Sequence, residues 1–436
     1  MSSTNSGKIF RDPVHGDIFL TPELTRILDT REMQRLRGIK QLGTASLVYP
    51  GAVHTRFEHS LGTCALTLRL MDILEDCGAA IAQETRTAVS AAALIHDVGH
   101  IPFGHTIEDE RRLFSRHDSP ERLDSLLCSS QLGDELSRQG LTRKVRDILL
   151  GKAPVPWHSE IISGTFCADL LDYLARDAFF CGLPGRYDER ILRSVRIGNG
   201  HIYLDAQKDG IIREDVVSET INLLRLRYFL TERVFFHHTK TASGAMISRA
   251  VEQAIDRGVS IEDLCRLTDD RLYALLETRF ISDPVIRMIM DNLASRRIYK
   301  RAYVLTRRIG SKLQDDLTER YHKSTLARRE AEDKLLGILK MKPGELIIYC
   351  PARSMQLKEA EVLVKTGCDA PRTLASRELP EVNVLRDKHK DLWRFYVFAA
   401  PSQADNLKKI SHACEEFFGS ENHLAALQSP QLYMCL

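Results

Sequence analysis

The sequence predicts a mainly α-helical protein that carries a smaller α+β module in its C-terminal part. Apolar residues recur at three- and four-residue spacings over much of the region 22–257, which is the period of amphipathic helices. Two strand-like runs, 345–350 and 392–399, are each followed by a helical pattern, as in α+β folds. The 436 residues, of which 43% are hydrophobic, suffice for more than one buried core.

Extended segments and short helices are predicted for the N-terminal region. Residues 9–20 alternate apolar and polar side chains around two turn-forming residues, which favours a strand or hairpin. Thr21 and Pro22 form a helix start, with Thr at the N-cap and Pro at the first helical position. A second helix is expected over 33–39, and a loop over 43–51.

The central region is predicted to be a succession of helices. They are expected at 59–77, 85–97, 113–127, 138–150, 161–180 and 218–257, the last with a break near Lys240. A hairpin is expected from 197–204 and 210–213. Further helical patterns cover 261–297, 359–364 and 404–418, and 320–340 is a highly charged helix or linker.

These patterns divide the chain into four parts. We expect residues 1–48 to be an N-terminal segment that packs on the core, and 49–260 to be a helical core. A helical extension (261–340) and a small α+β module (341–436) follow.

Composition narrows the class of protein. The formal net charge is +2, so there is no global electrostatic reason for nucleic-acid binding, although a local basic groove stays open. Ten cysteines without a C-x-x-C pair are typical of a reducing compartment rather than a disulfide framework. A polar N-terminus and the lack of a long apolar run predict a cytoplasmic protein, with no membrane partner.

An unusual histidine-rich stretch follows the apolar helix 85–97. His96 and Asp97 end this helix, and His100 and His105 come directly after it. A lone His-Asp pair is usually a surface pair or a satisfied buried histidine, but an apolar helix has no structural reason to end in three histidines. Imidazole and carboxylate together suit a borderline or hard divalent cation.

A second polar set lies on the helix 161–180. The spacings place five polar residues on one face, and the acids among them would repel one another unless that face looks at a cation. The set comprises Asp169, Asp172, Tyr173, Arg176 and Asp177.

His59 and the two polar sets described above follow one another along the chain in the order of a known family. The order His59, His96-Asp97, Asp169 resembles that of the HD-domain phosphohydrolases, all-helical enzymes in which these four side chains hold a metal. Four longer blocks are similar to the deoxynucleoside triphosphate (dNTP) triphosphohydrolases of that superfamily: 10–16, 34–43, 56–59 and 172–177.

This resemblance runs from about residue 8 to about residue 250. It implies an HD-domain helical bundle that hydrolyses a dNTP to deoxynucleoside and tripolyphosphate. It also implies a divalent metal, which the ligand types narrow only to Fe, Mn, Mg, Co, Ni or Zn. Relatives form dimers and tetramers, so a homo-oligomer is implied, and an allosteric nucleotide stays open as a further ligand.

The resemblance further implies roles for single residues. Arg56 would contact the phosphate next to the sugar, and His117 would be the general acid with Asp118 beside it. His100 and His105 can donate or transfer protons. Contacts to the sugar or the phosphates are implied for Gln41, Leu42, Tyr173, Asp177, Arg227 and His237.

Two positions depart from the family pattern. Leu170 stands where the mammalian family member has a lysine directed at the phosphates, and an aromatic hydroxyl expected near Phe235 is missing. Either the triphosphate is held differently, or the substrate is not a simple triphosphate. The alternative is a metal-dependent nuclease or phosphodiesterase that acts on single-stranded nucleic acid with the same site. A nucleotide-sensing scaffold with a structural metal is a third hypothesis.

Overall fold

A computed structural model describes residues 7–353, 355–367 and 370–428 of the chain. Helices dominate these residues, and the strands form four small sheets. The prediction of a mainly α protein with a smaller α+β part is thus confirmed. Within the described residues, no helix is both long and apolar enough to cross a membrane.

The chain begins with the predicted hairpin. Strands β1 (Lys8–Asp12) and β2 (Gly16–Leu20) pair antiparallel and are followed by helices α1 (Pro22–Leu28) and α2 (Arg31–Arg35). The Thr21 hydroxyl accepts a hydrogen bond from the Leu24 N–H at 3.5 Å. This confirms the predicted helix start, in which the side chain satisfies one of the N–H groups left unpaired at a helix end.

Three helices pack together at the centre of the fold: α3 (Arg56–Asp76), α4 (Gln83–Ile95) and α10 (Ala168–Phe180). Small residues permit their close approach, since a Cβ added at Gly62 of α3 would collide with Asp172 and Arg176 of α10. On the other side, the fully buried alanines 91–93 of α4 let its backbone approach α3.

Five shorter helices connect α4 to α10 and complete the bundle. They are α5 (His105–Glu110), α6 (Pro120–Cys128), α7 (Gln131–Arg138), α8 (Thr142–Leu149) and α9 (Trp157–Ser163).

Several predicted helix boundaries in this region were wrong, because caps and breaks interrupt the apolar periodicity. The helix predicted at 113–127 begins only at Pro120, where the Ser119 hydroxyl caps it. The helix predicted at 138–150 is the end of α7 and the whole of α8, parted at Gly140, whose φ is +68°. The helix predicted at 161–180 is likewise α9 and α10.

Two small hairpins and two long helices follow. The strands are β3 (Val195–Gly198), β4 (His201–Asp205), β5 (Gln207–Lys208) and β6 (Ile211–Ile212), so the single predicted hairpin is two. Helices α11 (Glu214–Leu230) and α12 (His238–Asp256) are separated by a π-helical turn over Thr231–Phe235. The break predicted near Lys240 therefore lies a few residues earlier.

The C-terminal half combines helices with a three-stranded sheet. Helices α13 (Ile261–Cys265), α14 (Asp269–Arg279) and α15 (Pro284–Ala294) precede strand β7 (Lys300–Thr306). Beyond it lie α16 (Ser311–Leu317), α17 (Thr325–Leu339), β8 (Leu346–Tyr349), β9 (Leu363–Lys365), β10 (Arg372–Thr373), α18 (Pro380–Lys390), β11 (Arg394–Ala399), α19 (Leu407–Phe418) and α20 (Leu424–Gln428). The sheet order is β7-β11-β8, and the sequence patterns did not predict β7.

One strand ties the C-terminal part back to the helical bundle. The helix predicted at 359–364 is wrong: a 3-10 turn over Lys358–Glu361 leads into β9, which pairs in parallel with β4. Buried residues of 357–385 accordingly belong to the same hydrophobic cluster as α3, α4 and α10. This connection brings the segment around the 3-10 turn to the functional cavity.

Candidate metal centre and substrate cavity

A cavity of about 680 Å³ opens beside the centre of the bundle. Most of the residues with predicted roles line it, although they come from several helices and loops. The lining includes Gln41, Leu42, Arg56, His59, His96, Asp97, His105, His117, Asp118, Asp169, Tyr173, Asp177 and Arg227.

Two histidines present nitrogen lone pairs to one point at the wall of this cavity. The Nδ1 of His59 donates to the Asp172 carboxylate at 2.7 Å, and the Nδ1 of His96 donates to the Ala93 carbonyl at 2.8 Å. Since the other ring nitrogen of a neutral histidine carries no proton, both Nε2 atoms are free as ligands. They lie 3.2 Å apart, and Asp169 Oδ1 is 3.0 Å from the Nε2 of His59.

Asp97 lies at the same point and also contacts a cation. Its Oδ1 is 3.6 Å from the Nε2 of His96, and its Oδ2 is 3.8 Å from the Nε2 of His59. Arg56 donates to Asp97 Oδ2 at 2.5 Å. All four side chains predicted as ligands therefore meet, with Arg56 directly behind one of them.

The electrostatics of this cluster fit a divalent metal. Two facing imidazole lone pairs repel each other unless a cation or proton lies between them. Burial lowers the pKa of His59, but the adjacent carboxylates of Asp169 and Asp172 favour the protonated ring and raise that pKa to about 10 when no metal is bound. The carboxylates beside His59 therefore favour a positive charge next to its Nε2 atom. A divalent cation bound by imidazole nitrogen and carboxylate oxygen would provide that charge.

A second group of titratable side chains adjoins the metal centre. The rings of His100 and His117 stack with centroids 3.4 Å apart, and His105 lies edge-on to both. His117 donates from Nδ1 to Glu108 at 2.9 Å, so its Nε2 faces Asp97, 4.0 Å from Oδ1. Burial and the charge of His100 lower the pKa of His117.

His100 and Asp118 occupy the margins of this group. His100 is fully buried, does not line the cavity, and lies 3.3 Å from Asp97 Oδ1. Asp118 does line the cavity, but its half-exposed carboxylate pairs with Arg116 at 3.0 Å. His100 therefore adjoins both His117 and Asp97, whereas the Asp118 carboxylate is paired with Arg116.

The hydroxyl and carboxylate predicted to recognise a sugar also line this cavity. Tyr173 and Asp177 are one turn apart on α10, as the four-residue spacing requires. His54, to which the sequence assigned no role, donates to Asp177 Oδ1 at 2.9 Å and stacks on Phe180. The Asp177 carboxylate is therefore held at a fixed position beside the cavity.

Two cationic residues, Arg227 and Lys240, also line the cavity. The guanidinium of Arg227 lies 5.1 Å from the ring centroid of Tyr173 and 5.2 Å from that of Phe235. His237 does not line the cavity. Its ring instead accepts from the Thr239 N–H at the start of α12.

The C-terminal part contributes a carboxylate that the sequence did not point to. Glu359 Oε1 lies 3.4 Å from Arg227 Nε and accepts from the Tyr173 hydroxyl at 3.5 Å. Tyr349, Met355, Lys358 and His389 also line the cavity. The pair Lys358-Glu359 resembles an ordinary solvated helix face in the sequence, so no local signal could have found it.

Fold and site together define an HD-domain protein. The HD domain matches residues 56–177, and the HD-associated region matches residues 189–425. The second match spans more than half of the chain, so the protein belongs to the HD-domain family that carries this associated region. The HD domain is metal-dependent, in agreement with the cluster around His59 and His96.

Curated relatives agree with this assignment. An uncharacterised protein of Methanocaldococcus jannaschii is 34% identical over 299 residues, which cover 67% of this chain and 59% of that protein. The deoxynucleoside triphosphate triphosphohydrolase of Bos taurus is 30% identical over 349 residues, with 67% and 58% covered. The chain thus spans less than two thirds of the length of these relatives.

Solved structures share the fold. A hypothetical protein of Aquifex aeolicus superposes with a TM-score of 0.70 at 24% identity, over 93% of this chain and 99% of that one. A phosphohydrolase of Bacteroides thetaiotaomicron gives 0.69 at 23% identity, over 90% and 99%. The superpositions thus extend over both the helical bundle and the C-terminal part.

Proposed function

We propose that this protein is a metal-dependent dNTP triphosphohydrolase, which releases deoxynucleoside and tripolyphosphate. One observation carries the proposal: a single cavity joins the His/Asp metal cluster to a hydroxyl–carboxylate pair, Tyr173 and Asp177, on the same helix. The first group suits hydrolysis of a phosphate ester. The second suits recognition of a free sugar hydroxyl.

The chain's own residues account for most of the required chemistry. His59, His96, Asp97 and Asp169 would hold a divalent metal, which would supply Lewis-acid activation of water and of the phosphate. Arg56, whose guanidinium lies at Asp97, is placed to bind the phosphate nearest the sugar. His117, once protonated on both ring nitrogens, would give its Nε2 proton to the leaving oxygen; Glu108 holds the ring with Nε2 toward the centre and favours its protonated form.

Other cationic residues of the cavity could replace the phosphate contacts that the two departures from the family pattern remove. Leu170 is buried and brings no charge. Arg227, Lys240 and Lys358 do line the cavity, and these cations can bind the remaining phosphate oxygens. The triphosphate would then be held from the side of α11, α12 and the C-terminal segment.

Gln41, Leu42 and Asp177 would contact the sugar of the nucleotide and select among sugars by their hydroxyl groups. Both line the cavity, and Gln41 Oε1 is buried without a hydrogen-bond partner, which is costly unless a ligand supplies a donor. Asp177 can accept from a 3′-hydroxyl. A site built this way rejects analogues that lack the hydroxyl.

Product analysis tests the proposal. Purified protein is incubated with each dNTP, the ribonucleotides and a labelled single-stranded oligonucleotide, over a series of Fe, Mn, Mg, Co, Ni and Zn, and products are resolved by chromatography. Deoxynucleoside and tripolyphosphate are the expected products. Cleavage of the oligonucleotide with intact dNTPs would instead identify the nuclease alternative.

We further propose that the protein acts in the cytoplasm as a dimer-based homo-oligomer. The support is the family resemblance and the ordinary thiol content of the sequence. Sedimentation with and without dNTPs tests the assembly. A single monomeric species under both conditions would contradict it.

A further inference from the structure

A buried carboxylate lies directly behind the metal centre. Asp172, one turn beyond Asp169 on α10, has a fully buried side chain. Its Oδ2 accepts from His59 Nδ1 at 2.7 Å and from Arg176 Nε at 2.8 Å. Its Oδ1 accepts from Arg176 Nη2 at 2.9 Å and from His15 Nε2 at 2.6 Å.

His15 reaches this carboxylate from the loop of the N-terminal hairpin. It precedes Asp172 by 157 residues and is 11% exposed. Asp12 holds the loop closed, because its Oδ1 accepts from the backbone N–H groups of Val14 and His15 at 2.9 and 2.8 Å. The other oxygen of Asp12 accepts from Arg176 at 2.8 Å.

The hairpin loop therefore contacts both members of the buried ion pair. His15 binds Asp172, and Asp12 binds Arg176. Each carboxylate oxygen of Asp172 thus accepts two hydrogen bonds. Arg176 donates to both oxygens, His59 donates to Oδ2, and His15 donates to Oδ1. Nothing in the metal cluster itself requires this loop, so the contact calls for a separate explanation.

We propose that His15 is a positioning residue of the metal centre. Its N–H binds Asp172 Oδ1 and thereby keeps Oδ2 turned to His59, whose Nδ1 proton must stay on that side for Nε2 to bind metal. Partners that orient a ligand histidine in this way typically change metal affinity by about 10- to 100-fold when removed. His15 acts on the ligand His59 only through Asp172, so we expect its removal to weaken metal binding by about tenfold, the lower end of this range.

A donor role and a packing role predict different outcomes for two closely related amides. The amide nitrogen of glutamine reaches about as far from the backbone as Nε2 of histidine, whereas that of asparagine stops near Nδ1. His15→Gln can therefore still donate to Asp172, and His15→Asn cannot. Both variants are polar and fit a loop residue, which keeps the comparison matched.

Metal affinity measured without substrate tests the proposal. The parent, His15→Gln and His15→Asn are stripped with a chelator and titrated with Mn²⁺ by calorimetry, and the unfolding temperature of each stripped protein is recorded. The Kd of His15→Asn should rise about tenfold, whereas His15→Gln should stay within about threefold of the parent. The unfolding temperatures of the two stripped variants should agree.

A remote histidine provides the control. His201 donates to Glu160 at 2.6 Å, the same length as the contact of His15, but its side chain is half-exposed and lies on strand β4. His201→Asn should leave the Kd for Mn²⁺ unchanged. Equal Kd values for parent and His15→Asn would overturn the proposal, as would an equal loss of affinity in His15→Asn and His15→Gln. If His15→Asn fails to fold, His15→Phe replaces it as the variant without a donor.

The inference rests on the metal centre and not on the identity of the substrate. Failure of dNTP hydrolysis with an intact effect on Mn²⁺ binding would reject the proposed function alone. Unchanged Mn²⁺ binding with active dNTP hydrolysis would reject the role of His15 alone. The two results are thus distinguishable in one set of samples.

Discussion

Replacement of His117 by Asn tests the proton-transfer step most directly. The Asn amide occupies the place of Nδ1, so it can keep the 2.9 Å hydrogen bond to Glu108. It removes Nε2, the ring atom that faces Asp97 from 4.0 Å. The substitution therefore deletes the proposed proton donor and preserves the contact that positions it.

The expected loss follows from the role of a general acid. Such a group contributes about 10²- to 10⁴-fold to the rate, which is about 2.7 to 5.4 kcal/mol of activation free energy at 1.36 kcal/mol per factor of ten. We expect kcat to fall by this factor. Metal bound at the centre should remain at the parent level, because its four proposed ligands are other side chains, His59, His96, Asp97 and Asp169.

The assay measures tripolyphosphate release at saturating dNTP, together with metal content by elemental analysis. His105→Asn is the matched control, since His105 lines the same cavity and lies edge-on to the His117 ring. A kcat within about threefold of the parent for His117→Asn would refute the assignment. A large loss in His105→Asn alone would move the acid to that residue.

Four further predictions concern metal, sugar, phosphate and stability. Asp169→Ala should lose the metal, measured by elemental analysis, with an unchanged circular dichroism spectrum. Asp177→Asn should reduce the preference for deoxy over dideoxy substrates, and equal turnover of the two by the parent would contradict this role. Glu359→Gln should lower the KM for triphosphates by freeing Arg227, whereas a higher KM would indicate that the carboxylate binds substrate. Arg111→Met should lower the free energy of unfolding in urea by up to about 3–5 kcal/mol, because it removes the arginine that bridges two buried glutamates, Glu252 and Glu332, and leaves them with longer ion pairs.

The metal cluster shows how much local sequence can determine. His96 and Asp97 follow directly on an apolar helix, and Asp169 begins another. Helical periodicity fixes which side chains share a face, and ligand chemistry limits what those side chains can bind. Residue type and spacing were therefore enough to predict a cation-binding region and a mainly α fold, whereas the resemblance to the HD-domain phosphohydrolases supplied the set of four ligands.

Helix ends were less predictable than helix faces. The break between α9 and α10, for example, depends on a cap by the Cys167 thiol, and cysteine is not among the residues that usually cap helices. The strand β7 was also missed, because its buried position is set by pairing with β11 some ninety residues later. A strand covered on both faces has no alternation to reveal it.

Tertiary structure alone decided which distant residues complete the site. His15 reaches Asp172 across 157 residues, and Glu359 reaches Tyr173 across 186. The block 10–16 contains His15 but does not indicate its partner, and Glu359 has no local pattern. A loop histidine and a charged turn look alike whether they face solvent or a buried partner. Their roles depend on how the hairpin and strand β9 pack on the bundle, and such long-range packing reflects the free energy of the whole fold rather than of any segment.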